Sequence, residues 1–160
     1  MNKKTRYLTH SALIAAMYVA LTFIASLLGL ASGVIQVRLS EALTILPLFT
    51  PAAVPGLFVG CVLANALTGS AAWDVVFGSI ATLLGALGTY WCRKKNKYLA
   101  PVFPILANMI IVPFVLRLVY GAPDSWIFLV ISVGIGEIIS CGVLGLLLHK
   151  ILVKTNIFGK

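Results

Sequence analysis

The sequence predicts an all-α integral membrane protein, a single membrane domain over residues 1–160 with six transmembrane helices. Three observations predict it. Of its 160 residues 61% are hydrophobic and only 10% are charged, whereas a soluble domain carries roughly 25% charged residues. So few charges cannot clothe a water-facing surface, so most side chains are solvated by lipid. The apolar residues also fall into long runs. A hydrocarbon core about 30 Å thick takes roughly 20 helical residues to cross, which leaves room for about six short crossings and tight loops, and none for a soluble catalytic or nucleotide-binding domain. Finally, the net charge of +8 is unevenly placed. Lys3, Lys4 and Arg6 precede the first apolar run. Arg93, Lys94, Lys95 and Lys97 lie between the fourth and fifth, and His149, Lys150, Lys154 and Lys160 belong to the tail. Clustering in alternate loops is the positive-inside pattern, and it puts the N- and C-termini in the cytoplasm; a nucleic-acid site needs a continuous basic face instead.

In chain order, the first span is expected over 9–30. Its basic-then-apolar start resembles a secretory signal with a small-residue stretch at Ala31 to Gly33, but the apolar run is longer than a typical signal. The next, 34–49, is shorter and carries Gln36, Arg38 and Glu41. Pro47, Pro51 and Pro55 then mark a sharp turn near Thr50 and Pro51, or a re-entrant segment, before the span 52–67. Spans 73–91, 98–120 and 126–148 follow, with the basic loop after the first of these and a Gly121-Ala122-Pro123-Asp124 turn after the second. Trp73, Trp91, Tyr98, Tyr120 and Trp126 fall near span ends, where aromatic side chains anchor at the membrane interface. Cys61, Cys92 and Cys141 have no paired spacing, so the sequence offers neither a zinc signature nor a disulfide framework, and no metal is expected. No internal repeat of the kind built into many secondary transporters is evident.

Polar residues at membrane depth are costly, so they are candidates for function. Arg38 and Glu41 stand three apart and share a helix face; they either neutralise one another or reach into a pocket. Glu137 lies deep in the last span, beside Gly134 and Gly136, which let a helix or a ligand come close. Its plainer reading is an ion pair with Arg38 or Arg117. Asn65, Trp73 and Asp74 flank one expected outer turn, and Asp124 and Trp126 another. An indole face beside a carboxylate suits a planar heterocycle with paired N–H donors. Interface anchoring for Trp73 and Trp126, helix capping for Asp74 and Asp124, and a bond across helices for Asn108 are the plainer readings. Ala12, Ala16 and Ala20 form a smooth stripe that serves either a partner helix or internal packing. The chain has no phosphate-binding G-x-x-x-x-G-K-[ST], no H-E-x-x-H and no G-x-S-x-G. It is therefore read as not an enzyme, and the energy for any uptake comes from ion coupling or from a partner.

The run Gln36-Val37-Arg38-Leu39-Ser40-Glu41-Ala42-Leu43, followed by Pro47-Leu48-Phe49-Thr50-Pro51-Ala52-Ala53-Val54-Pro55-Gly56-Leu57, resembles the QueT family. Its members are assigned as queuosine-precursor substrate-binding (S) components of energy-coupling factor transporters. Span count and charge layout extend the resemblance over nearly the whole chain. It implies an S-component-like bundle in the bacterial cell membrane that holds a vitamin-like ligand near the outer face. That ligand is implied to be a 7-deazaguanine such as 7-aminomethyl-7-deazaguanine. It implies docking on a transmembrane coupling subunit through Ala12, Ala16 and Ala20, and two ABC-type ATPases as the users of ATP, with no cofactor in this chain. Arg38, Glu41, Asn65, Trp73, Asp74, Asn108 and Glu137 are then the candidate substrate-binding residues, with Trp73 as a stacking wall. An S component for another vitamin, a self-sufficient ion-coupled transporter with Glu137 as a proton relay, and a small membrane enzyme or assembly protein are the alternatives.

Overall fold

The computed structural model describes residues 2–30 and 35–155; the small-residue stretch at Ala31 to Gly33, the start of the expected second span and Lys160 lie outside them. All regular structure among these residues is helical. Helix α1 spans Lys3–Leu27, α2 Ala53–Leu67, α3 Ala72–Cys92, α4 Val102–Leu118 and α5 Trp126–Glu137. A π-helical segment, Ile138–Leu144, joins α5 without a break to α6, Gly145–Thr155. Four of the described helical stretches are long and apolar enough to cross a membrane: Lys3–Leu27, Ala72–Cys92, Lys97–Leu118 and Trp126–Thr155.

The second stretch of the chain folds differently from its neighbours. Leu39–Leu48 forms a 3₁₀ helix in which every residue from Ser40 to Pro47 is buried. It packs against α1, α2, α3, the π segment and α6, so it runs through the middle of the ring made by successive contacts of α1 with α2, α2 with α3, α3 with α4 and α4 with α5. Pro47 removes a backbone donor, and irregular backbone at membrane depth persists only where protein rather than lipid surrounds it. Central burial meets that requirement.

Polarity is inverted relative to a soluble protein. Leu8, Leu13, Leu27, Ile110, Leu118 and Ile127 are more than half exposed, while Glu41, Thr44, Thr82, Asn108, Glu137 and Ser140 are buried. Between apolar helices in lipid, close packing rather than water exclusion drives association, and small residues permit it. On α2 a Cβ at Gly56 would lie 2.7 Å from the Ser11 carbonyl oxygen, and one at Gly60 2.8 Å from Tyr18 Cβ. The internal face of α1 is thus Ser11, Ile14, Ala15 and Tyr18, whereas Ala12, Ala16 and Ala20 are exposed on the other side.

Helices α1 and α2 stop in the same way. Gly29 (φ 71°) and Gly69 (φ 76°) take the left-handed conformation that glycine adopts without penalty. Leu30 N–H then reaches the Ala25 carbonyl at 2.9 Å, and Ser70 N–H the Asn65 carbonyl at 3.0 Å, closing the last turns. These two stops surround one end of the bundle. The chain's N-terminal start, the loop after α3 and His149 of α6 gather at the opposite end, where Phe49 borders both a cleft with Lys3 and Arg6 and one with Arg93, Lys97 and His149.

Candidate functional site, a two-lobed polar chamber

The end of the bundle closed by Gly29 and Gly69 holds two cavities. The first, about 440 Å³, is walled by Tyr18, Thr22, Ala25 and Ser26 of α1, by Asn65, Thr68 and Ser70 at the end of α2, and by Asp74 and Tyr120. The second, about 360 Å³, lies between α4 and α5, with Asp124, Phe128, Leu129, Ser132, Val133 and Glu137 on its walls. Gln36, Arg38, Val112 and Leu116 line both, so the two are lobes of one chamber with Arg38 between them. Either volume falls in the range of small-molecule sites.

Residues 36–38 form the partition. Val37 N–H bonds to the Leu30 carbonyl at 2.9 Å, and Arg38 N–H to Ser140 Oγ at 3.1 Å, which pins the strip to the top of α1 on one side and to the π segment on the other. Gly136 is what lets the strip lie so low, because a Cβ there would collide with the Gln36 carbonyl oxygen. The Arg38 charge acts on Asp74 of α3 in the first lobe and on Glu137 of α5 in the second, which Asp124 also lines.

Each sequence-predicted residue has a definite place. Asp74 and Asn65 wall the first lobe: Tyr120 Oη donates to Asp74 Oδ2 at 3.3 Å, and Asn65 Nδ2 to the Asp74 carbonyl at 3.5 Å. Glu137 walls the second lobe, with Cys141 Sγ donating to its Oε2 at 3.2 Å. Glu41 does not line the chamber but lies fully buried beneath it, where its Oε1 accepts from Tyr18 Oη at 2.5 Å and from Thr82 Oγ1 at 3.1 Å. Arg38 thus lines the chamber while Glu41 lies beneath it, and both charges act on Tyr18 and Glu137. Asn108, 1% exposed, lies beside Glu137, and its Nδ2 makes no well-formed hydrogen bond among the described residues. Val112 and Leu116, one and two turns above Asn108 on α4, reach the chamber; Asn108 is a layer deeper.

Trp73 departs from the expected stacking wall. It is 60% exposed, stacks on Phe77 at 5.8 Å, and lines an apolar groove with Ile110, Phe114 and Leu118 on the outside of α3 and α4. The reason is helical geometry: neighbours on a helix point about 100° apart, so with Asp74 turned inward Trp73 faces the lipid. Trp126 likewise packs edge-on against Phe114, at 4.3 Å, and Asp124 carries its carbonyl to Arg117 Nη1 at 3.0 Å while lining the second lobe.

Tyr18, Thr22, Thr82, Ser132 and Tyr120 are chamber or support residues that sequence reasoning did not pick as site residues. A signal for two of them existed. Tyr18, Thr22 and Ser26 recur at steps of four, as Ala12, Ala16 and Ala20 do, but offset by two residues and so by about 200° around the helix. The hydroxyl stripe faces in and the alanine stripe faces out. Glu41, Glu137 and Cys141 place three ligand-type atoms within 4.8 Å of one another. Hydrogen bonds from Tyr18, Thr82 and Thr44 already engage this group, so it serves as the polar floor of the chamber.

A bundle that exposes apolar side chains all round and encloses a polar, charge-lined chamber at one end is a membrane protein built to hold a small polar molecule. The model of the QueT transporter family matches residues 8–154. This chain belongs to the QueT transporter family. It is 28% identical to the queuosine precursor transporter QueT of Lactococcus lactis subsp. cremoris (strain MG1363), over 92% of this chain and 93% of that one. No solved structure matches the chain.

Proposed function

We propose that this protein is the substrate-capture membrane subunit of an ATP-driven importer of the energy-coupling factor type, and that its ligand is a 7-deazaguanine such as 7-aminomethyl-7-deazaguanine. The chamber carries the reading: it sets one cation, Arg38, between two carboxylates, Asp74 and Glu137, in separate lobes. A deazaguanine presents N1–H and an exocyclic amine on one edge, which a carboxylate can accept in pairs. Asp74 takes that edge, with Asn65 and Arg38 as donors to the ring carbonyl and Tyr120 as the nearest aromatic wall. The cationic aminomethyl group then points to Glu137. Glu41 and Asn108 stand behind these residues and hold them in place. The family membership and the relative's named substrate support the same ligand class.

In this reading the chain passes through the bacterial cytoplasmic membrane six times, the central 3₁₀ segment and α2 being the second and third passages, with both termini cytoplasmic. The positive-inside distribution supports that orientation. Ala12, Ala16 and Ala20, exposed on α1, are the docking stripe for a transmembrane coupling subunit, and two partner ATPases hydrolyse the ATP. Ala16→Leu is expected to abolish co-purification with the coupling subunit while ligand binding by the isolated chain stays within about twofold, because the substitution lies on the face opposite Tyr18 and Thr22. Loss of ligand binding in that variant would place the stripe in the internal packing instead.

Calorimetry on the detergent-purified chain tests the ligand, with 7-aminomethyl-7-deazaguanine compared against guanine, riboflavin, thiamine and biotin. Saturable binding of the deazaguanine alone is the expected result, and Trp73→Ala is expected to leave it within about twofold. Selective binding of another vitamin would overturn the ligand; a large loss in the Trp73 variant would overturn the chamber's boundaries.

A further inference from the structure

The basic end of the bundle carries more than the bias that orients it. Arg93, Lys95 and Lys97 of the loop after α3 converge with Tyr98, Phe49 and His149 on one cavity of about 430 Å³. Each of the three cations lies over an aromatic ring of its own segment: Arg93 Cζ is 4.0 Å from the centre of Tyr90, Lys95 Nζ 3.7 Å from Trp91, and Lys97 Nζ 5.3 Å from Tyr98. Such contacts hold long side chains in place. His149 closes the far side, its ring 5.3 Å from that of Phe49. A topological signal needs only positive charges on the correct side of the membrane, spread through mobile loops; it does not need them fixed around a common cavity.

None of the chain's acidic side chains neutralises this cluster. There are only four. Asp74, Asp124 and Glu137 line the chamber at the other end, and Glu41 lies beneath it. The compensating charge must come from outside these side chains. Trp91 and Tyr98, 63% and 62% exposed, set the depth of the cavity at the membrane interface. Leu87 and Leu84, one and two turns before Trp91 on the same face of α3, are about half exposed and carry an apolar flank away from the basic loop. A negative headgroup at the cavity with acyl chains along that flank satisfies both surfaces at once, which a soluble anion does not.

We propose that this cavity is a binding site for the phosphate of an anionic phospholipid, held by Arg93, Lys95 and Lys97. Its occupant ties the loop after α3 to the last helix through His149. The charge is attracted by the surface potential of an anionic leaflet in any case, so the experiment must separate a site from a diffuse basic face. The purified full-length chain is equilibrated with equal amounts of phosphatidylglycerol and phosphatidylethanolamine in mild detergent, and retained lipid is counted by native mass spectrometry. The combined Arg93→Gln, Lys95→Gln and Lys97→Gln variant is set against a charge-matched Lys3→Gln, Lys4→Gln and Lys150→Gln variant of the same end. Thermal unfolding verifies that both are folded. The expected result is roughly 10-fold less phosphatidylglycerol on the loop variant, with phosphatidylethanolamine unchanged and the matched variant within about twofold of the parent. Equal loss in both variants would reduce the cluster to a diffuse charge. No preference for phosphatidylglycerol, or complete displacement by millimolar glycerol phosphate, would overturn a lipid as the occupant.

Discussion

Gly136→Ala is expected to weaken ligand binding by about 10-fold or more and to lower the thermal unfolding midpoint by several degrees. The added methyl meets the Gln36 carbonyl oxygen, which is backbone and cannot rotate away. The strip 36–38 must lift or α5 must shift, and forcing extra volume into a close-packed contact costs roughly 1–3 kcal/mol. For a chain of this length that corresponds to a midpoint shift of about 2–4 °C per kcal/mol. The same strip carries Arg38 into both lobes and is tied to Ser140 at 3.1 Å. Its displacement therefore reaches the ligand as well as the fold. Gly142→Ala in the π segment that follows α5 is the internal control: its nearest neighbour is Ile138 Cγ2 at 3.9 Å, and alanine is the better helix former, so stability there should hold or rise. Calorimetry and unfolding of the two variants side by side give the answer. Equal behaviour of both would mean that the partition tolerates a shift and that Gly136 does not set the chamber.

Much of the bundle is legible in the sequence because composition alone reports it. Apolar runs of membrane length give α1, α3, α4 and the long helix through α5 and α6, and the basic clusters mark one end. Residues 34–49 were harder. Their hydropathy reads as a short crossing, and only the packing of five neighbours around Leu39–Leu48 reveals that this segment is enclosed by protein. Proline at position 47 was the available hint. The chamber was legible residue by residue and not as an assembly. Asp74, Asn65 and Glu137 could be picked because charge and amide groups are rare at depth, yet Glu41 and Glu137 come to the same region from 96 positions apart, across a 3₁₀ turn and a π turn that no periodicity announces. Trp73 was misplaced for the opposite reason: sequence adjacency to Asp74 implied proximity, whereas a helix sends adjacent side chains to different faces.

Glu41 is where the two possible meanings of a buried carboxylate can be separated experimentally. It is 0% exposed and accepts hydrogen bonds from Tyr18 and Thr82, so it joins α1 to α3 through the central segment. Glu41→Ala removes the acceptor and leaves two hydroxyl groups in a dry interior. An unsatisfied buried donor costs about 1–3 kcal/mol, so this variant is expected to lose roughly 2–5 kcal/mol and about 5–15 °C in unfolding midpoint. Glu41→Gln keeps a carbonyl oxygen of the same reach and is expected to stay within about 1 kcal/mol of the parent. Since Glu41 lies beneath the chamber rather than on its wall, the Gln variant should also bind ligand within about threefold, whereas Glu137→Gln, on the wall, should lose about 10-fold or more of the affinity for a cationic ligand. If Glu41→Gln fell as far as Glu41→Ala, the charge rather than the hydrogen-bond geometry would be what the core requires. If Glu41→Gln and Glu137→Gln together left the affinity unchanged, the electrostatic account of ligand capture would be wrong, and shape and the Asp74 lobe would have to carry recognition alone.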